Sequence, residues 1–414
     1  MVDPAHTVYI AGAGASGLLA AIAAAECGAR VVLLEKMSSP ARKLAITGNS
    51  RCNITNTAGI EAYVREFGAN GKFLRGAFSR FYNEDTRSFL ESLGVPTVVE
   101  DGGRVFPKSG HASDVVEALT KCCNRLGVEI KTDCGVTRVV AEEGHIARID
   151  TTQGRIGAQC VLLATGGASY PKTGSTGDGY RIASSLGHTV VPLRPALVPV
   201  ELKGDLHKRL APISFRNARV KLVVDGKAKS MSEGDILFTP FGITGPAALA
   251  HSKEAASNIG SSPVSLVINF IPPADRHEAD LRLTSLFVEA GARSAINAVA
   301  ELLPRRAAEV IANRAGISLQ AKAAVVKKDV RNRLAWLLTE MKLDVRGVRP
   351  IQEAIVTAGG VAVNEIDPKT MQSRIVKGLY FSGETIDIDA GTGGFNLQAA
   401  FSTGHAAGRA MAGG

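Results

Sequence analysis

Val8-Tyr9-Ile10-Ala11-Gly12-Ala13-Gly14-Ala15-Ser16-Gly17, continued by the helical run Leu18 to Ala25 and by Val31 to Leu34 with Glu35 behind it, decides how the whole chain is read. An apolar strand, a GxGxxG turn, a helix and a second strand ending in an acid form a seat for a dinucleotide. Gly12 permits the tight turn, Gly14 lets a pyrophosphate approach the backbone, and Gly17 lets the helix pack closely. The helix N-terminus then offers free N–H groups and a positive dipole end to phosphates. Glu35 stands eighteen residues past Gly17, near the usual spacing for a carboxylate on ribose hydroxyls, and its charge argues against a 2′-phosphate there. FAD and NAD both satisfy this segment.

Composition is that of a globular protein: 414 residues, 45% hydrophobic and 21% charged, with 44 glycines. The length calls for two or three domains. No apolar run reaches the roughly 18 residues of a membrane span, and the first strand begins too near Met1 to leave room for a signal peptide, so a cytoplasmic setting is expected. The cysteines Cys27, Cys52, Cys122, Cys123, Cys134 and Cys160 form no CxxC pair and no metal spacing with the histidines, so no metal is expected. The net charge is +9, and residues 301–350, with eleven Lys or Arg against five Asp or Glu, supply +6 of it. That stretch reads as a solvated helical face or as the footprint of a polyanionic partner such as RNA.

Along the chain, the loop Arg42 to Asn56 leads into helices near Glu84 to Leu93 and Ser113 to Leu126. Short alternating strands follow between Glu129 and Ile149, and an apolar strand, Cys160 to Leu163, ends at Ala164-Thr165-Gly166-Gly167. This mixture predicts an α/β, doubly wound sheet. After the prolines at 192, 195 and 199, alternating strands bounded by turns (Arg219 to Val224, Asp235 to Thr239, Val264 to Phe270) predict an antiparallel β module. From Ala274 to Leu343 the period becomes helical, with Leu281, Leu283, Leu286 and Phe287 as one of its apolar sets. The expected organisation is a Rossmann-like cofactor domain (1–191 and 356–414) split by a β-barrel-like insertion (192–272 and 344–355), itself interrupted by a small helical domain (273–343).

Near the far end, Leu379-Tyr380-Phe381 runs into Ser382-Gly383-Glu384, followed by Asp387, Gly391, Gly393, Gly394 and Asn396-Leu397-Gln398. A second glycine loop therefore precedes a second helix. A nicotinamide enzyme has no need of it, whereas FAD is long enough to use two helix N-termini, one at its pyrophosphate and one at the flavin pyrimidine edge.

These motifs, together with Arg42-Lys43-Leu44, Thr47-Gly48-Asn49-Ser50-Arg51-Cys52-Asn53, Gly166 to Pro171, Gly174 to Tyr180, Thr357-Ala358-Gly359-Gly360-Val361 and Gly391 to Gln398, closely resemble the BaiN/YhiN-like family of FAD-dependent oxidoreductases. That family includes proteins described as aminoacetone oxidases and the ribosomal RNA dihydrouridine synthase (RdsA) type. The resemblance implies a glutathione-reductase-type FAD domain built from both chain ends, with barrel-like and helical insertions. It implies that Ala15 and Glu35 touch pyrophosphate and ribose, that Arg42 and Lys43 lie near the cofactor, and that Val136 meets the adenine. Glu384, Asn396, Leu397 and Gln398 would reach the ribityl chain and the flavin. Its motifs add Ser16, Lys36, Thr47, Gly48, Asn49, Arg51, Asn53, Thr165, Gly166, Gly383 and Gly394 as cofactor contacts. The family's barrel motif often has a His before its Phe- or Tyr-Gly step; here the run is Leu237-Phe238-Thr239-Pro240-Phe241-Gly242, so that histidine is not available as a proton donor.

Two catalytic candidates follow. Arg51 is placed to stabilise a reduced flavin, and Cys52 to deliver a proton, since a thiol beside a cation has a lowered pKa. Asp178 would hold the same loop or orient substrate, Tyr170 reads equally as a lid residue or core, and His405 reads as a satisfied helix histidine before a catalyst. No second GxGxxG is present, so either NAD(P)H would visit the flavin transiently or the flavin would be reduced by the substrate and reoxidised by dioxygen. The functions that fit are reduction of a carbon-carbon double bond with ribosomal RNA uridine as substrate, a small-molecule amine oxidase or reductase of steroid-like enones, and a non-catalytic flavin-binding protein.

Overall fold

A computed structural model describes residues 7–413. Five parallel strands form the central sheet, in the order Leu379–Phe381, Val161–Leu163, Thr7–Ala11, Arg30–Leu34, Glu129–Lys131. The strand nearest the C-terminus thus lies two places from the strand nearest the N-terminus. These strands read as near-continuous apolar runs because both faces of the sheet are covered; Val161, Leu162 and Leu163 are wholly buried. Two antiparallel three-stranded sheets accompany it, Val136–Glu142 with His145–Thr151 and Gly154–Gly157, and Thr55–Asn56 with Arg104–Pro107 and Thr97–Glu100.

The chain divides into two compact units, one comprising the residues up to Arg194 together with those from Ile355 onward, the other Pro195–Ala354. In the second unit six strands close an antiparallel barrel, in the order Val200–Leu202, Gly242–Thr244, Lys227–Thr239, Ser214–Val224, Val264–Asn269, Met341–Val348. The helices Arg276–Ala290, Ala295–Val299, Arg305–Ala315 and Lys328–Thr339 interrupt it between its last two strands and share one hydrophobic core with it. Sequence patterning missed the first half of Lys227–Thr239, whose polar run Lys227 to Asp235 is held as a strand by pairing with Ser214–Val224. Leu281, expected on the buried stripe, is 54% exposed; Leu283 and Phe287 carry that helix's packing.

In the first unit the first helix, Ala15–Glu26, lies against the terminal helix, Phe395–Met411. Two glycines explain how closely. A Cβ on Gly404 would sit 2.2 Å from the Ser16 carbonyl oxygen, and one on Gly408 2.2 Å from that of Ala20. Both steps are four residues in the same direction, so the helices run parallel with backbones in contact.

Candidate cofactor site

The first turn holds the conformation its glycines permit. Gly12 has φ +102°, and a Cβ there would meet the Ala164 carbonyl oxygen at 2.5 Å. On Gly17 a Cβ would fall 1.9 Å from the Gly12 carbonyl oxygen, so this glycine closes the helix onto its own turn and onto Ala164. Around Gly14 a Cβ would meet nothing within 4 Å: that face of the turn is open. Ala15, Ser16 and Gly17 begin a helix that no side chain caps, which leaves N–H groups for an anion. Glu35 is buried, its Oε2 accepting from Ala13 N and its Oε1 from Met37 N, both at 2.8 Å. Each oxygen retains a second lone pair for a ribose hydroxyl. Glu35 N donates to Lys131 O and Cys134 N to Glu35 O, both at 2.8 Å, which brings the segment leading to Val136 alongside Glu35.

The terminal helix repeats the arrangement. Gly394, its N-cap, has φ +97°, a Cβ there would meet Thr55 O at 2.3 Å, and no side chain caps the helix. Oriented by its partners, the Asn53 amide accepts from Gly394 N at 3.1 Å and donates to Thr55 O at 3.2 Å, fixing the loop before the helix. Phe395 lies nine residues ahead of the Gly404 contact, while Ala15 lies one residue ahead of Ser16. Two parallel, uncapped N-termini therefore face the same way, offset along their axes by about 12 Å. One short phosphate needs only one of them; a long dinucleotide with charge at two places fits both.

Several residues expected at the cofactor also make bonds within the protein. Lys36 Nζ donates to Asp178 Oδ2 at 2.6 Å and Thr176 Oγ1 at 2.5 Å, while Gly174 packs on Met37 and Lys36, so Lys36 holds the 174–178 loop beside Glu35. Burial pushes the Asp178 carboxyl up, but bonds from Lys36, Thr176 and Arg181 outweigh it and hold its pKa below the ordinary value. Lys43 Nζ donates to Glu384 Oε2 at 2.8 Å and Ser169 Oγ at 2.7 Å, and Glu384 Oε1 accepts from Thr357 N at 2.6 Å. This knot joins four segments remote in sequence. Ser169 and Thr357 lie in motifs the sequence displayed, but their part in it could not be read there. Asn396 turns its amide back onto its own loop, at Ala390 N and O and Gly391 O.

Gln398 is a correction. Its side chain is wholly buried, Oε1 accepting from Thr55 Oγ1 at 2.6 Å and Thr86 Oγ1 at 2.9 Å and Nε2 donating to Ser402 Oγ at 3.0 Å, so it braces the terminal helix and cannot reach a ligand. Leu397, one position earlier, stays partly exposed in the uncapped first turn. Gly383 donates its N–H to Thr403 Oγ1 at 2.9 Å and abuts Ser16, and Gly166 turns at φ +72°. The Thr165 hydroxyl is buried with no partner, beside Gly179.

The Cys52 proposal also needs correcting. Thr47, Gly48 and Asn49 break the helix that Arg42 starts, with φ +58° at Gly48 and +56° at Asn49. That turn exposes Arg42, Gly48, Asn49 and Arg51 and buries Cys52 completely. Burial pushes the Cys52 thiol up to about 12, against an opposing bond with Thr47. No cation lowers it, because the Arg51 guanidinium pairs with Glu100 and lies 4.3 Å over the Phe106 ring. Tyr170 is 37% exposed in a left-handed conformation, and His405 stacks on Phe81 with centroids 4.7 Å apart. Among the described residues no group of three or more His, Cys, Asp or Glu could hold a metal.

The family described as HI0933-like protein Rossmann domain matches residues 6–410. The chain belongs to the HI0933-like family. Membership across almost its full length makes it an FAD-dependent oxidoreductase of the kind its motifs resemble. HI0933-like relatives diverge in substrate. The chain is 30% identical over 411 residues to a 3-dehydro-bile acid delta(4,6)-reductase of Clostridium scindens, covering 98% of this chain and 99% of that protein. It is equally 30% identical over 402 residues to the ribosomal RNA dihydrouridine synthase of Escherichia coli, covering 95% of each. Among solved structures, a 3-ketosteroid delta1-dehydrogenase from Sterolibacterium denitrificans superposes with a TM-score of 0.52 at 13% identity, covering 99% of this chain and all of that one, a likeness of fold. The residues present fit FAD: two open helix ends, an open Gly14 face and a buried acid beside the first turn. Among the described residues no helix is long and apolar enough to cross a membrane.

Proposed function

We propose that this enzyme uses FAD to reduce a carbon-carbon double bond conjugated to a carbonyl, with uridine in ribosomal RNA as the substrate and NAD(P)H as a transient donor. The observation that carries the flavin part is the pair of parallel, uncapped helix N-termini offset along their axes by about 12 Å. The curated relatives support the bond type, since a delta(4,6)-reductase and a dihydrouridine synthase both saturate a carbon-carbon double bond next to a carbonyl. The net +6 of residues 301–350 supports an anionic macromolecule as substrate.

When bound, the flavin supplies the hydride equivalent. The chain's own residues do the holding. The first turn and Glu35 receive pyrophosphate and ribose. Lys36 and Asp178 keep the 174–178 loop against that end. The Lys43–Glu384 pair, with Ser169 and Thr357, ties their four segments together, and the uncapped first turn of the terminal helix would offer its N–H groups to negative charge on the flavin. Cys52 keeps its proton and takes no part.

Steroid-like enones are the second reading, favoured by the bile-acid reductase relative. One experiment separates the two: NADPH oxidation followed anaerobically with ribosomal RNA, with a 3-keto-steroid dienone, or with neither. RNA-dependent turnover that yields dihydrouridine is expected. Turnover with the dienone alone would move the assignment to the small molecule, and peroxide from small amines in air would replace both.

A further inference from the structure

The chain has one tryptophan, and the core does not use it. On the helix Lys328–Thr339 the positions Leu334, Ala335, Leu337 and Leu338 are buried, whereas Trp336 keeps 38% of its surface exposed. A single exposed apolar residue is ordinary; its neighbour is what singles it out. Arg333, one turn earlier on the same face, is exposed and reaches only the Ala315 carbonyl, at 3.4 Å. On the same helix Arg331 is matched to Asp280 by bonds of 2.7 and 3.2 Å. Arg331 is thus neutralised by a carboxylate, whereas Arg333, held only on a helix-end carbonyl, keeps its charge without one.

Arg333 is not alone. Among the described residues, Arg306, Arg314, Lys322, Lys327 and Lys328 also have no carboxylate at ion-pair distance, and the helix carrying Arg306 and Arg314 packs against that of Trp336. Asp329 and Glu340 lie a turn beyond Arg333 and Trp336 on the same stripe. An anionic strand is therefore repelled along the helix axis and accepted across it, toward the Arg305–Ala315 helix whose last carbonyl Arg333 reaches.

We propose that Trp336 and Arg333 form a docking point for a single-stranded stretch of RNA, the indole stacking on an unpaired base while Arg333 and the free cations around it take phosphates. Flat rings among unpaired cations are how single strands are held without sequence readout. An acidic polypeptide would satisfy the charges but has no obligatory flat face for the indole. The inference rests on the RNA reading above and adds the surface by which the substrate is held.

The lone tryptophan makes the test direct, because all indole emission comes from position 336. Oligouridylate added to the holoenzyme is expected to quench that emission saturably, and more weakly as salt rises. With a labelled oligouridylate followed by anisotropy, Trp336→Ala should lower affinity roughly five- to hundredfold. Trp336→Phe should keep most of the affinity. Arg333→Gln should reduce the slope of log affinity against log salt by about 0.7. Thermal melting checks that these exposed substitutions leave the fold intact. Unchanged affinity in both Trp336→Ala and Arg333→Gln overturns the proposal, as does equal quenching by polyglutamate, which would mark a surface for acidic polypeptides. If RNA is reduced while Trp336→Ala binds normally, the docking point fails and the substrate reading stands. If RNA quenches Trp336 but is never reduced, the substrate reading fails and the docking point stands.

Discussion

Arg51 and Cys52 are adjacent in sequence, yet the left-handed turn before them sends one side chain to solvent and the other into the core. A thiol raised to about 12 by burial is neither nucleophile nor ready acid at neutral pH. Cys52→Ala should therefore leave the pH profile of turnover unmoved; since a general acid contributes about 10²- to 10⁴-fold, a loss of that size would restore Cys52 to the mechanism. His405 gives a second prediction. Its Nδ1 is buried without a partner, and burial, with Arg409 assisting, lowers its pKa to about 4 from an ordinary 6.5. The charged form is disfavoured in the folded state, so between those values the unfolded chain binds more protons. Stability contributed by the neutral ring is then full above pH 6.5, falls with pH through that window, and levels off below about 4. Urea midpoints at pH 7.5 and 4.5 should differ less in His405→Phe, which retains a ring on Phe81, than in the parent; equal differences would mean that the ring titrates normally.

At the scale of elements, the contact between the first and terminal helices determines whether the two N-termini act on one ligand. Gly408→Val adds a branched side chain whose Cβ alone would lie 2.2 Å from the Ala20 carbonyl oxygen, so the helices must part. The expected cost is about 1–3 kcal/mol, read as a lower urea midpoint accompanied by weaker FAD retention; a stable variant with undiminished retention would detach the helix contact from cofactor binding. What the sequence displayed and what it hid divide along this line. Gly12, Gly17 and the far glycine loop were legible because backbone constraints are local: a positive φ or a backbone contact that leaves no room for a Cβ calls for glycine. The roles of Gln398, Lys36 and Asn396 were not, because a side chain's partner is chosen by the fold. Thr55 lies 343 positions from Gln398 and Asp178 lies 142 from Lys36. The family motif marks such residues without saying whether they hold the cofactor or hold the loop that does.

At the scale of the whole molecule, fold class was legible through the change of period, from apolar parallel strands to alternating strands to helices. The barrel and its helices share a core separate from that of the Rossmann-like unit, so a single chain supports a cofactor seat made by its ends and a basic insertion made by its middle. Both ends of the chain should hold one FAD. Titration of the apoprotein with FAD, FMN and ADP, repeated in Gly394→Val, tests it most directly. One FAD per chain is expected, bound far more tightly than FMN or ADP because each of those engages only one helix end, with the Gly394→Val substitution weakening FAD and leaving ADP almost unchanged. ADP binding as tightly as FAD, or FAD binding indifferent to Gly394→Val, would contradict it.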